Sequence, residues 1–124
     1  MDNQIRFTHV DECQVDESEF MRARRLFGPE QGSDLASLVL ATVQNGYDTD
    51  VGPLDFDEIL YLTRGIAEVE VGGVWRSLGP GNAMFIPQGA TYRWKVVEGP
   101  NEFVVVIAPP EGYDRAIEAV DDGR

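Results

Sequence analysis

Cysteine and histidine are nearly missing from this chain: among its 124 residues they occur once each, as Cys13 and His9. A single thiol excludes an intrachain disulfide and any cysteine metal cluster, and Cys13 reads as an incidental reduced thiol. Basic residues are scarce too. Ten Lys and Arg stand against 22 Asp and Glu, a formal charge of −12. Such a field repels phosphate backbones and anionic lipid, so neither nucleic acid nor a membrane surface is expected as a partner. No apolar run approaches the ~20 residues of a bilayer-crossing helix. The opening MDNQIRFTHVDECQVDESEF has no apolar signal core, and a cytoplasmic location is the expectation. P-loop, nucleophile-elbow, HExxH and Rossmann fingerprints are absent, as are repeats, low-complexity segments and linkers.

What is present suits one domain over residues 1–124. Hydrophobic residues make up 43%, too many for a disordered chain and enough to enclose one core. Short apolar runs recur between Gly, Pro, Asp and Asn. They predict strands at Arg22–Phe27, Leu35–Val43, Glu58–Thr63, Ala67–Val71, Val74–Leu78, Ala83–Ile86, Tyr92–Val97 and Glu102–Ile107. In AEVEVGGVWRSL, Ala67, Val69 and Val71 share one face and Glu68 and Glu70 the other, with Gly72-Gly73 as a hairpin turn. TYRWKVV alternates equally cleanly, Tyr92, Trp94 and Val96 opposing Thr91, Arg93 and Lys95. FVVVIAPP reads as a central strand covered on both sides. SEFMRARRLFG is compatible with a helix or a first strand, and a short helix over Tyr113–Val120 precedes a frayed acidic tail. Many short strands with frequent turns predict an all-β sandwich or barrel, with Val69, Val71, Val105 and Ile107 inside.

Two spacings carry a resemblance. Glu58, six residues and Gly65 match the second half of the first cupin motif, G-x5-H-x-H-x3/4-E-x6-G. Gly81, five residues, Pro87, one residue, Gly89 and two more reach Tyr92, following the second motif G-x5-P-x-G-x2-H-x3-N up to its histidine. The chain resembles a small single-domain cupin, which implies a double-stranded β-helix, the jelly-roll barrel. The words DFDEI and AMFIPQGATYRW are similar to EutQ-type ethanolamine-utilization proteins. The departures concern the metal. The two first-motif histidines would fall at Gly52 and Leu54, or at Val51 and Pro53; Tyr92 replaces the second-motif histidine and Val96 the closing asparagine. Of the four ligands the resemblance implies, Glu58 alone remains. One carboxylate without imidazole does not hold Fe, Mn or Zn tightly, so no metal is expected.

The resemblance implies that Glu58 points into the barrel beside Leu54, Tyr92 and Trp94. Desolvation there raises a carboxyl pKa and makes it a general acid or base. Tyr92 would donate a hydrogen bond, and Trp94 would supply an apolar or stacking wall. A structural acid among packed aromatics is the competing account. Asp55 and Asp57 would rim the mouth, facing a cationic ligand or loosely held Mg²⁺, unless they serve only as turn-forming acids. Arg22 and Arg24 would share a strand face and meet either an anion or solvent.

Three functions follow. The first is a metal-free enzyme using Glu58, Tyr92 and Asp55 on a small polar molecule, with Trp94, Leu54 and Asp57 as binding residues; lyase, isomerase or cyclase chemistry suits them. The EutQ resemblance implies one version of it, an acetate kinase with ATP and Mg²⁺, although phosphoryl transfer needs cations around its phosphates. The second is a non-catalytic ligand-binding or assembly module of a catabolic pathway. The third is a metal enzyme with carboxylate ligands. A homodimer through Arg22–Phe27, with Phe20 and Phe27 as anchors, is also expected.

Overall fold

The computed structural model describes residues 3–121. Eight strands follow in order: β1 (Val15–Glu17), β2 (Met21–Phe27), β3 (Ser37–Val43), β4 (Asp48–Val51), β5 (Asp57–Val71), β6 (Val74–Leu78), β7 (Ala83–Ile86) and β8 (Tyr92–Ala108). Helix α1 (Gly112–Asp121) closes the described chain, in line with the helix expected over Tyr113–Val120. The acidic tail expected after it lies largely outside the described residues.

Pairing is antiparallel throughout, in the order β1-β2-β3-β8-β5-β6, with β4 added to β8 and β7 to β5. The sheet does not close into a barrel. It folds over itself as a jelly roll because β5 and β8 each serve two layers. Their segments Asp57–Arg64 and Glu102–Ala108 pair with each other, flanked by β7 and by β3. Their segments Ile66–Glu70 and Arg93–Glu98 pair again in the second layer, flanked by β6 and β4. Val39, Leu60, Leu62, Phe103 and Val105 from the first layer meet Ala67, Val69, Trp94 and Val96 from the second.

The sequence suggested two pairs of strands where the molecule has two long bent ones. Gly65 does not end β5; it turns it. Its φ of 86° is open to glycine, and a Cβ there would lie 2.4 Å from the Pro100 carbonyl oxygen. The pairing register shifts on both sides of this residue. Asn101, fully buried at the matching bend of β8, pins the corner. Its amide nitrogen donates to the carbonyls of Ile66 and Glu98, both at 3.1 Å, and its oxygen accepts from Trp94 Nε1 at 3.0 Å.

Other expectations need correction. Val71 is 49% exposed, because it is the last residue before the turn and projects past the layer; Val69, Val105 and Ile107 are buried. Gly72 and Gly73, with φ 57° and 84°, make the hairpin turn as expected. The third strand begins at Ser37; Leu35 sits exposed in the preceding turn, where the Ser33 hydroxyl donates to the Ala36 carbonyl at 2.7 Å. SEFMRARRLFG forms strand β2, paired on one side with β1 and on the other with β3. Strand β1 covers Arg22–Arg24 of that edge, and Arg25–Phe27 lies beyond its register. Arg22 lies 3.6 Å from Glu17, and Arg24 donates to the Val10 carbonyl at 2.9 Å, so each has a partner within this chain.

Candidate active site

The jelly roll encloses a cavity of about 270 Å³. One wall is the inner face of β3 with Val39, Ala41 and Val43; another is β8 with Tyr92, Trp94, Phe103 and Val105. β4 and the following loop, from Tyr47 to Leu54, line a third side, and Tyr113, Ala116 and Ile117 bring α1 against it. Three polar contacts hold that helix. Arg25 Nη1 donates to Asp114 at 3.1 Å with its guanidinium over the Tyr113 ring, Arg115 Nε donates to Asp55 at 2.9 Å, and the Tyr113 hydroxyl bonds Asp16.

Glu58 belongs to this wall by strand parity. Along β5 every second residue turns inward, so Glu58, Leu60 and Leu62 form one row, while Ile59 and Tyr61 face outward at 53% and 50% exposure. Its neighbours across the sheet are Ile86 and Ile107, both buried. No hydrogen bond or ion pair reaches its carboxyl among the described residues, and no Lys, Arg or His lines the cavity. Burial alone raises its pKa from 4.5 to about 7. An acid in such a place exchanges its proton near neutral pH.

Two phenols share the cavity. Burial raises the pKa of Tyr92 well above its ordinary value, reinforced by the charges of Glu58 and Tyr47. Burial also raises Tyr47, opposed by a hydrogen bond with Thr49, with Glu58 adding to the rise. Both are protonated donors at neutral pH. Trp94 is held edge and face: Nε1 is spent on Asn101, and its ring meets Phe103 with centroids 5.5 Å apart.

Of the residues the sequence singled out, Glu58, Tyr92, Trp94 and Leu54 line one cavity. Asp55 and Asp57 do not. Asp55 is occupied by Arg115, and Asp57, on the outer face of β5, accepts from the Gln88 backbone N–H at 2.8 Å. Tyr47, Thr49 and Asp50 were not anticipated. The alternation in Tyr-Asp-Thr-Asp-Val was the available signal, a strand of four residues that a run of acids disguised.

The positions matching the motif histidines also border the cavity. Val51, Gly52, Pro53, Leu54 and Tyr92 all line it, and none offers a side chain suited to a divalent ion. Among the described residues no group of three or more His, Cys, Asp or Glu is placed to hold one. This donor set does not fit the metal that the fold's motifs imply.

Solved structures with the same architecture include ectoine synthase from P. lautus, with a TM-score of 0.79, 22% identity, and coverage of 90% of this chain and 86% of that one. The polyketide cyclase RemF from Streptomyces resistomycificus gives 0.73 and 20%, covering 86% and 80%. The EutQ protein of Clostridium difficile gives 0.63 and 24%, covering 73% and 64%. The chain has the cupin fold. No protein-family model and no curated sequence matches it. The resemblance drawn from the Glu58–Gly65 and Gly81–Tyr92 spacings thus holds at the level of the fold, where identities this low carry no chemistry. Among the described residues, no helix is long and apolar enough to cross a membrane.

Proposed function

We propose that this small cupin is an enzyme of proton-transfer chemistry, with Glu58 as general acid and base on a small organic molecule held in the cavity. One observation carries the reading: a carboxyl on a cavity wall that no cation lines, and to which no hydrogen bond is made among the described residues. A structural acid in a protein interior is normally hydrogen-bonded or paired, since an unpaired buried charge is costly. A pKa near the working pH is what acid–base catalysis requires. Lyase, isomerase and cyclase reactions share that requirement, and the cyclase and synthase among the structural neighbours are consistent with it. The proposal needs no metal, because the donor set offers none a seat. Phosphoryl transfer of the acetate kinase type finds no support in a cavity without Arg or Lys.

The test makes no assumption about the substrate. Wild-type protein and Glu58→Gln are each incubated with a small-metabolite extract in D₂O, and deuterium uptake is followed by mass spectrometry. A compound labelled by the wild type and not by the variant is the expected result. Equal labelling by both, together with an NMR titration placing the Glu58 carboxyl in the ordinary range near 4.3, would overturn the reading in favour of a binding module.

A further inference from the structure

The chemistry of the cavity wall narrows the substrate. Its acidic groups are Glu58 and, at the exposed end, Asp50; no basic side chain lines the cavity, and the cation nearest in register, Arg93 across from Asp50, lies outside it. A carboxylate or phosphate entering this space would lose its hydration and meet like charge. Most of the remaining wall is hydrocarbon and aromatic ring, including Leu60, Val105, Trp94 and Phe103. The ligand body is therefore apolar and carries no negative charge.

The hydroxyls then say what its polar end is. The Tyr92 side chain is half-buried on the cavity wall, and no hydrogen bond within the described residues takes up its hydroxyl. A donor facing the cavity and free of protein partners is available to an acceptor on the ligand. An ammonium group would pair with Glu58 and donate to the phenol oxygens but, being a donor only, would leave the phenol O–H groups without an acceptor. A neutral carbonyl oxygen matches them. Size sets a further bound: since an apolar cavity of roughly 150 Å³ holds benzene, about 270 Å³ admits a molecule of one or two rings.

Resting on the acid–base reading above, we infer that the cavity takes an uncharged, enolisable ketone of one or two rings, with Tyr47 and Tyr92 donating to its carbonyl oxygen and Glu58 removing the adjacent proton. The step balances without any co-reactant. Glu58 carboxylate takes the α-proton, the C–H electron pair becomes the C=C bond of an enolate, and the carbonyl π pair moves onto oxygen. The two phenols stabilise that oxygen as charge develops on it. Glu58, now a carboxylic acid, returns the proton to the same carbon or to a conjugated one.

α-Tetralone in D₂O is a suitable probe, because its α-CH₂ protons can be followed by proton NMR. The wild type should exchange them at least ~100-fold faster than buffer. The rate should rise with pH through about 7 as Glu58 ionises. Glu58→Gln should return the rate to that of buffer, and Tyr92→Phe and Tyr47→Phe should each lower it about tenfold or more. 1-Naphthoate, similar in size but anionic, should not inhibit. Exchange no faster than buffer, inhibition by 1-naphthoate, tyrosine variants of full activity, or preferential binding of protonated 1-aminotetralin would each overturn the substrate assignment. A parallel NMR titration of the Glu58 carboxyl separates the two levels. A midpoint near 7 without exchange sinks only the ketone, whereas a midpoint in the ordinary glutamate range sinks the acid–base reading with it.

Discussion

Glu58 costs this protein stability at neutral pH, and the sign of that cost can be measured. Its folded pKa of about 7 lies above the 4.5 of the unfolded chain. Below pH 4.5 the group is protonated in both states and contributes nothing. Between 4.5 and 7 the unfolded chain sheds the proton while the folded one keeps it, so the group destabilises progressively; above 7 the penalty is full. A shift of this size corresponds to roughly 3 kcal/mol. Glu58→Gln should therefore match the wild type near pH 4 and exceed it near pH 8 by an amount of that order, as read from urea unfolding at both pH values. Asn101 should behave oppositely. Asn101→Ala strands the Trp94 N–H and two backbone carbonyls in the core, and a loss of about 3 kcal/mol or more is expected at every pH.

At the scale of elements, the bend in β5 decides the architecture. Gly65→Ala would force a side chain into the left-handed region and against the Pro100 carbonyl, so it should lower the melting temperature sharply or prevent folding. The α1 contacts are a different matter. Arg115 and Asp55 form an exposed pair of the kind worth 0–1 kcal/mol. Asp55→Asn should leave stability within about 1 kcal/mol of the wild type and leave α-tetralone exchange unchanged. Loss of exchange in that variant would return Asp55 to the catalytic set. The strand pattern at this scale could be read from alternation, since β6 and β7 run as expected. The continuity of β5 and β8 could not, because a glycine signals an end and a bend alike, and only the partner strand distinguishes them.

The whole molecule carries a formal charge of −12. Its ion pairs are mostly exposed, so general self-repulsion acts with little internal compensation. Raising NaCl from about 10 to 200 mM shortens the Debye length from roughly 30 Å to below 10 Å and should raise the melting temperature. A fall with salt would mean that attractive pairs dominate. The same acidity extends to the cavity, which Glu58 and Asp50 line and no basic side chain does, and it is why anionic ligands are expected to be rejected.

Local chemistry was enough for much of this. Alternating residues, the Gly72-Gly73 turn and the glycine-proline frames around Glu58 and Tyr92 announced a cupin jelly roll, and the missing histidines announced a cavity without the motif's metal ligands. The cupin resemblance implied an inward Glu58, and along β5 it shares the inner row with Leu60 and Leu62. Only the tertiary structure decided which acids face inward together. Asp57 is one residue from Glu58 yet lies on the other face, and Asp55 is taken by an arginine sixty residues away. Tyr47 and Thr49 reach the cavity because β4 pairs with β8, a contact between segments more than forty residues apart. The pKa of Glu58 likewise depends on Ile86 and Ile107, brought beside it by pairing on both edges of its strand. Pattern along a chain sets the face of a residue; the solvation of that face is set by what folds over it.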